Sequence, residues 1–288
     1  MARLYVLGGN GWVPSPKRST NCYALETRRS LILFDCGVGV SRLSDPMMRL
    51  VLERVPRVIV LLSHYHHDHI EGLHMLPHFL RDHEVTIAGP GVLVTGFDCA
   101  AVLARFGSSP LLPQPITAWG ETFRKGFSIV ELREGRNKIA GETIEVVRQP
   151  HSDPSVGFRV RDVAYVTDTV VRAETAAFAK GASVLVHDAW LDADDEALGH
   201  ADLRRHGTAH GAAAIAKEAG VSELVLGHLN PSYDEPRLER MLISACDVFP
   251  NTRLANDFTV VEVRSKDDED LPGGVAPEGP AATETGGL

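Results

Sequence analysis

The run Val58-Ile59-Val60-Leu61-Leu62 is apolar, β-branched and too short for a helix, and it empties directly into Ser63-His64-Tyr65-His66-His67-Asp68-His69. Such a run reads as a buried strand. No other stretch constrains the fold as much, because a sheet must enclose this strand while its end opens onto a polar site. Imidazole and carboxylate are the usual ligands of zinc and similar divalent ions. In extended backbone alternate side chains share a face, so His64 and His66 can grip one ion. Asp68 and His69 follow where a turn into the next helix can aim them at a second ion.

Seven of the thirteen histidines lie between His64 and His83, so clustering alone says little. The order says more: a buried strand, four ligand-type residues at fixed offsets, then a helix. His67 is expected to point away from the ions, and His83 to be a loop residue. His74 and His78 stand i, i+4 on the following helix and read as an exposed pair.

With 288 residues and 44% hydrophobic content, the chain can bury a large core as one domain. No run approaches eighteen apolar residues, so no spanning helix is expected. The N-terminal Met-Ala-Arg-Leu-Tyr-Val-Leu goes straight into a strand-like run without a signal-peptide pattern. Cys22, Cys36, Cys99 and Cys246 are far apart and form no CxxC pair, which fits reduced thiols in a cytoplasmic protein. Net charge is −9, but residues 265–288 hold one lysine against six acids and so carry −5 of it. The remaining −4 is spread without the basic stripe common in nucleic-acid binders. The Pro/Gly/Ala/acid tail, 265–288, lacks apolar periodicity and is expected to be disordered.

Along the chain, residues 2–7 read as a strand leading to Gly8-Gly9-Asn10-Gly11, a tight turn beside the site. Cys22–Leu25 and Leu31–Phe34 read as paired strands, and Asp45-Pro46 as the N-cap and first residue of a helix to about Arg54. The pattern then predicts helices over Ile70–Leu80 and Val92–Arg105, and strands at Val85–Ala88, Phe127–Leu132 and Thr143–Arg148. A hairpin, Val156–Val160 and Val163–Val166, turns at Arg161-Asp162. A helix at Ala173–Ala179 precedes a strand at Ser183–Val186. Ala212, Ile215, Ala216 and Ala219 keep helical spacing up to Gly220. Leu224–Leu226, a helix through Leu238–Ala245, and Phe258–Val263 complete the chain. Polar residues gather at five strand ends: after 62, around 150, after 166, after 186 and after 226. That distribution suits a β-sandwich with helices outside and one metal site at a rim.

His64-x-His66-x-Asp68-His69, a lone His151, Asp168 at a hairpin end and His228 at a late strand end resemble, in order, the ligand series of the metallo-β-lactamase superfamily. The resemblance spans Leu7 to about Val263. It implies an α/β (α+β) fold, the four-layer αββα sandwich, over residues 1–264 as a single domain. It also implies two Zn2+ ions, with Mn2+ or iron as substitutes in some members. His64, His66 and His151 would hold one ion, Asp68, His69 and His228 the other, and Asp168 would bridge them.

Within that superfamily the run His151-Ser-Asp-Pro-Ser-Val-Gly-Phe-Arg159 is similar to the phosphodiesterase branch that includes ribonuclease Z. Val186-His187-Asp188-Ala189-Trp190 is similar to that branch's His-Glu-Ala-Thr, and His206-Gly207-Thr208-Ala209 to its His-Ser-Thr-Ala. The opening Gly8…Pro14…Arg18-Ser19-Thr20 fits its N-terminal glycine loop. The resemblance implies His206 as general acid for the leaving alkoxide, Asp188 as its orienting partner, and Asp68 as an aid to the attacking water. Aspartate and tryptophan replace the branch's glutamate and threonine at Asp188 and Trp190. The branch's tRNA-binding arm has no room here, because only sixteen residues separate His151 from Asp168.

The expected function is therefore a dinuclear metal-dependent phosphodiesterase that cleaves a small or nucleotide-derived diester with a metal-bound hydroxide. The missing arm and the absent basic stripe argue against extended nucleic-acid binding, and nothing points to a membrane. Three alternatives stand beside it: a same-fold hydrolase of a lactone or thioester, a tRNA 3′-processing endoribonuclease, and a non-catalytic accessory protein. A homodimer is among the assemblies open to the chain.

Overall fold

A computed structural model describes residues 2–264; the tail at 265–288 lies outside the described residues. Among the described residues, fourteen strands form two seven-stranded mixed sheets. The first sheet takes β1 (Ala2–Gly8), β2 (Cys22–Glu26), β3 (Ser30–Phe34), β4 (Arg57–Leu61), β5 (Glu84–Pro90) and β6 (Phe127–Leu132). The second takes β7 (Gly135–Ile139), β8 (Glu142–Gln149), β9 (Ser155–Val160), β10 (Val163–Val166), β11 (Val184–Asp188), β12 (Glu223–Gly227) and β13 (Thr252–Leu254). β14 (Val260–Val263) returns to the first sheet and pairs with β1.

Side-chain alternation explains the layering. Leu4 and Val6 of β1 face the second sheet, in a core shared with Phe34, Leu61, Phe158 and Val186. Tyr5 and Leu7 face the other way, toward Met48, Val51 and Leu73 on helical segments. The outer face of the second sheet is covered by the helices Ala173–Ala179, Ala209–Ala219 and Glu235–Val248, through Ala176, Ala212 and Met241 among others. Both faces of the central strands are dry, which is why they read as continuous apolar runs. The result is the four-layer αββα sandwich.

Strand direction places the site. β3, β4 and β5 run parallel, as do β10, β11 and β12. β8 is antiparallel to β9, and β9 to β10, so β8 ends on the same edge as β10. The C-terminal ends of these strands, and the single helical turn His67–Ile70 that follows β4, carry the polar residues.

The structure differs locally from expectation. The segment after β4 is not one helix over Ile70–Leu80. It starts earlier, at His67–Ile70, tightens to 3₁₀ over Glu71–Met75, and restarts at Leu76–Leu80. Pro77 at the second position of the last piece has no N–H to continue the ladder from the preceding turn. The expected helix Val92–Arg105 is two, Val92–Thr95 and Cys99–Phe106, separated at Gly96, whose φ is 83°. β7 and β13 carry weak apolar patterns as sheet edges and were not expected. The last strand begins at Val260 rather than Phe258.

Candidate active site

The histidine-rich stretch leaves β4 in extended backbone: Ser63 and His64 are buried and His66 is half-buried before the turn begins at His67. His64 and His66 stand with ring centroids 4.3 Å apart, as their alternate spacing requires. His151 follows β8, Asp168 follows β10 and His228 follows β12. Ligand atoms of His64, His66, His151 and Asp168 lie within 4.8 Å of one another, and so do those of Asp68, His69 and His228. The fold thus brings together all seven residues of the series. Asp168 joins the two groups: its Oδ1 is 3.4 Å from His151 Nε2 and 3.2 Å from His228 Nε2, and its Oδ2 is 3.2 Å from His69 Nε2.

These donors fit divalent metal. Tetrahedral ligands on bonds near 2.1 Å stand about 3.4 Å apart, wider than a charge-assisted hydrogen bond. The nitrogen–oxygen separations in the cluster, 3.2–3.8 Å, match that spacing. Nε2 of His64 and both ring nitrogens of His228 are buried without a hydrogen-bond partner, a costly arrangement unless a cation completes it.

Outer partners hold the opposite nitrogen of most of these rings, as metal-ligating histidines require. His64 Nδ1 is 3.0 Å from Ser63 Oγ, and His69 Nδ1 is 2.8 Å from Asp35 Oδ2. His66 Nε2 is 3.0 Å from Asp153 Oδ2, leaving Nδ1 for the cluster, and His151 Nδ1 is 3.2 Å from the Arg205 carbonyl. Asp35 also accepts from the Ser63 amide at 2.7 Å and from the Tyr165 hydroxyl at 2.7 Å. Sequence reasoning gave Asp35 no role. Its signal was the sixth strand end, after β3, where Asp35-Cys36-Gly37 repeats the pattern of an apolar strand followed by an acid.

Electrostatics in the cluster are mutual. Burial opposes the charge of Asp68 and Asp168, yet the surrounding histidines hold both carboxyls well below the usual range. Burial also opposes protonation of His228, but Asp168 and Asp68 push its pKa up to about 9. His64 moves down, through burial and its neighbour His69.

Asp188, at the end of β11, is fully engaged. Its Oδ1 accepts from the amides of Gly207 (3.0 Å) and Trp190 (3.2 Å), and its Oδ2 lies 2.9 Å from His206 Nδ1. His206 is stacked against Trp190 (5.1 Å, 25°) and His228 (5.1 Å, 12°), and faces His151 edge-on at 5.0 Å. It is held inside the site with Nε2 left over for other chemistry. One of its nitrogens also falls within 4.8 Å of ligand atoms of Asp168 and His228, so metal content as well as activity must define its role.

The glycine loop lies beside this cluster. The Trp12 amide donates to Asp68 Oδ2 at 2.7 Å, and a Cβ on Gly11 would come within 2.4 Å of the His228 ring. Alongside His151 runs a groove of about 450 Å³ lined by Glu134, Arg148, Gln149, Pro150, Pro154 and Arg172. Outside the site, His67 is exposed and paired with Glu71, His74 and His78 are exposed, and His83 bonds the Leu52 carbonyl. Four site residues, Trp12, Asp35, Asp168 and His228, have left-handed φ values of 58°, 58°, 49° and 51°. Strain of this kind collects at functional centres.

Residues 30–229 match the model of the beta-lactamase superfamily domain. The chain belongs to this family. It is a metal-dependent hydrolase of the metallo-β-lactamase superfamily. Ribonuclease Z of Limosilactobacillus fermentum is similar to it, 29% identical across 92% of this chain and 99% of the relative. That alignment runs to 318 positions, more than the 288 residues of this chain, so the relative carries insertions that this superfamily member lacks. The crystal structure of the metallo-beta-lactamase fold protein YhfI from Bacillus subtilis shares its fold with a TM-score of 0.68 at 22% identity, covering 90% of this chain and 98% of that one. A diphosphatase from the PhnP family shares it with a TM-score of 0.64 at 17% identity, covering 92% and 99%. Among the described residues no helix is long and apolar enough to cross a membrane.

Proposed function

We propose that this hydrolase is a dinuclear phosphodiesterase acting on a small or nucleotide-derived phosphodiester. One observation carries the reading: a histidine held by a buried carboxylate, His206 on Asp188 at 2.9 Å, stands against the candidate ligands His151 and His228. A phosphodiester with an alkoxide leaving group needs a proton donor at that place, whereas a thioester, which expels a stable thiolate, does not. When bound, a metal pair supplies positive charge to the phosphoryl oxygens and acidifies a water. His64, His66 and His151 would hold one ion, Asp68, His69 and His228 the other, with Asp168 between them.

The chain's own residues do the rest. Asp188 accepts a hydrogen bond from His206 Nδ1–H, which fixes the ring and leaves Nε2 to carry the proton donated to the leaving oxygen. Trp190 and His228 both pack against that ring, and against each other, and so limit its rotation. Asp68, steadied by the Trp12 amide, would orient the attacking water. Arg148 and Arg172 in the neighbouring groove favour an anionic substrate, moderated by Glu134.

The tRNA 3′-processing reading draws on the relative named ribonuclease Z. Against it, β9 and β10 are joined by a tight turn at Arg161-Asp162, with no protruding arm between His151 and Asp168. The test is metal analysis combined with a substrate panel of bis-aryl phosphate, cyclic nucleotides, precursor tRNA, a lactone and a thioester. Hydrolysis of the small diesters is the expected result. Turnover confined to the acyl substrates overturns the proposal, and efficient cleavage of precursor tRNA at its 3′ end replaces it with the processing reading. Failure to bind metal at all would favour an accessory role.

A further inference from the structure

Trp12 occupies an unusual position. The Val13 amide donates to the Gly11 carbonyl at 2.7 Å across a residue with φ 58°, the pattern of the rare, strained three-residue γ-turn. The turn is not loose: the Gly11 amide donates to Leu229 and the Leu229 amide to Gly9, which pins it beside His228. Trp12 is 68% exposed. Of the chain's three tryptophans, Trp119 and Trp190 are buried, so Trp12 is the one displayed to solvent. Packing in the protein therefore does not compensate the strain, and the backbone of the same residue contacts Asp68 at the centre of the site.

We infer that Trp12 is a specificity-determining platform on which a nucleobase of the substrate stacks while the diester sits at the metal cluster. The inference rests on the phosphodiesterase reading. A diester phosphorus held near Asp68 carries its substituents within a side chain's reach of Trp12. A large neutral aromatic face beside an anion-binding centre suits a flat, uncharged ring; Val13, also exposed, extends the apolar rim. Base–indole stacking discriminates a ligand with a base from one without.

Calorimetric binding of adenosine 5′-monophosphate and ribose 5-phosphate to the metal-loaded full chain tests this. The wild type should prefer the nucleotide by about tenfold or more. Trp12→Ala should erase most of that preference and Trp12→Phe restore much of it. Because the readout is a ratio of two ligands on one protein, a general loss of folded protein cancels. A preference that survives Trp12→Ala, or a wild type that shows none, overturns the inference. Kinetics with a cyclic mononucleotide and an oligoribonucleotide show which source of base is used. If the wild type hydrolyses no phosphodiester, the functional reading fails whatever Trp12 does. If it hydrolyses them with a base preference indifferent to Trp12, only the present inference fails.

Discussion

Nδ1 of His206 lies 2.9 Å from Oδ2 of Asp188, and the same carboxylate takes two backbone amides on its other oxygen. A carboxylate so completely used is a fixed mount rather than a titrating partner. His206→Ala should lower kcat by about 10²–10⁴-fold on a diester with an alkyl leaving group. It should cost much less with a p-nitrophenyl leaving group, which departs without a proton. Metal content by elemental analysis should stay at the wild-type value. A fall in bound metal would make His206 a ligand instead of an acid.

Asp35 is the buried hub behind the ligands, accepting from Tyr165 and Ser63 and holding His69. Asp35→Ala leaves these groups without partners in a dry interior and should destabilise the fold by roughly 3 kcal/mol or more. Asp35→Asn keeps the volume and should weaken metal affinity by about 10–100-fold. Chelator competition and denaturant titration separate the two effects; unchanged metal affinity in the asparagine variant would refute the positioning role.

Gly11 has no space for a side chain, since its Cβ would meet the His228 imidazole at 2.4 Å. Gly11→Ala must therefore displace the loop or the ring. We expect bound metal and activity to fall while the thermal transition stays cooperative. Full metal occupancy in this variant would show that the loop yields without cost to His228.

Protons and metal compete at His228. Burial works against its protonation, but Asp168 leads the carboxylates that raise its pKa from 6.5 to about 9. In protein stripped by a chelator, the stabilisation from this raised pKa is complete below 6.5 and is lost as pH climbs through about 9. Metal needs the neutral ring, so its apparent affinity should rise with pH over that window, by up to about tenfold per unit for this one proton. Calorimetry at pH 7 in buffers of different ionisation enthalpy should record net proton release on zinc binding. Binding with no proton release would contradict the assignment.

Much of this was legible in the chain itself. The apolar run before His64, the hairpin before Asp168 and the buried strands leading to Asp188 and His228 each announce a strand end, because strands buried on both faces read as mostly apolar runs and gather their polar residues toward their ends. Asp35 escaped notice because its meaning depends on Tyr165, 130 residues away, on the facing sheet. The broken helix after His69 was missed because its apolar spacing continues across the interruption before Pro77.

Residue types and their order were thus sequence properties: which side chains can bind metal, that each follows a strand, and that one histidine and one aspartate stand apart from the series. Tertiary structure alone decided the distances among them, the ring nitrogen each histidine turns inward, and the exposed, strained turn at Trp12. The physical reason is strand direction. Parallel pairing of β3 with β4 and of β10 with β11 and β12 brings distant strand ends to one edge, and packing of the two sheets sets the few ångströms between them.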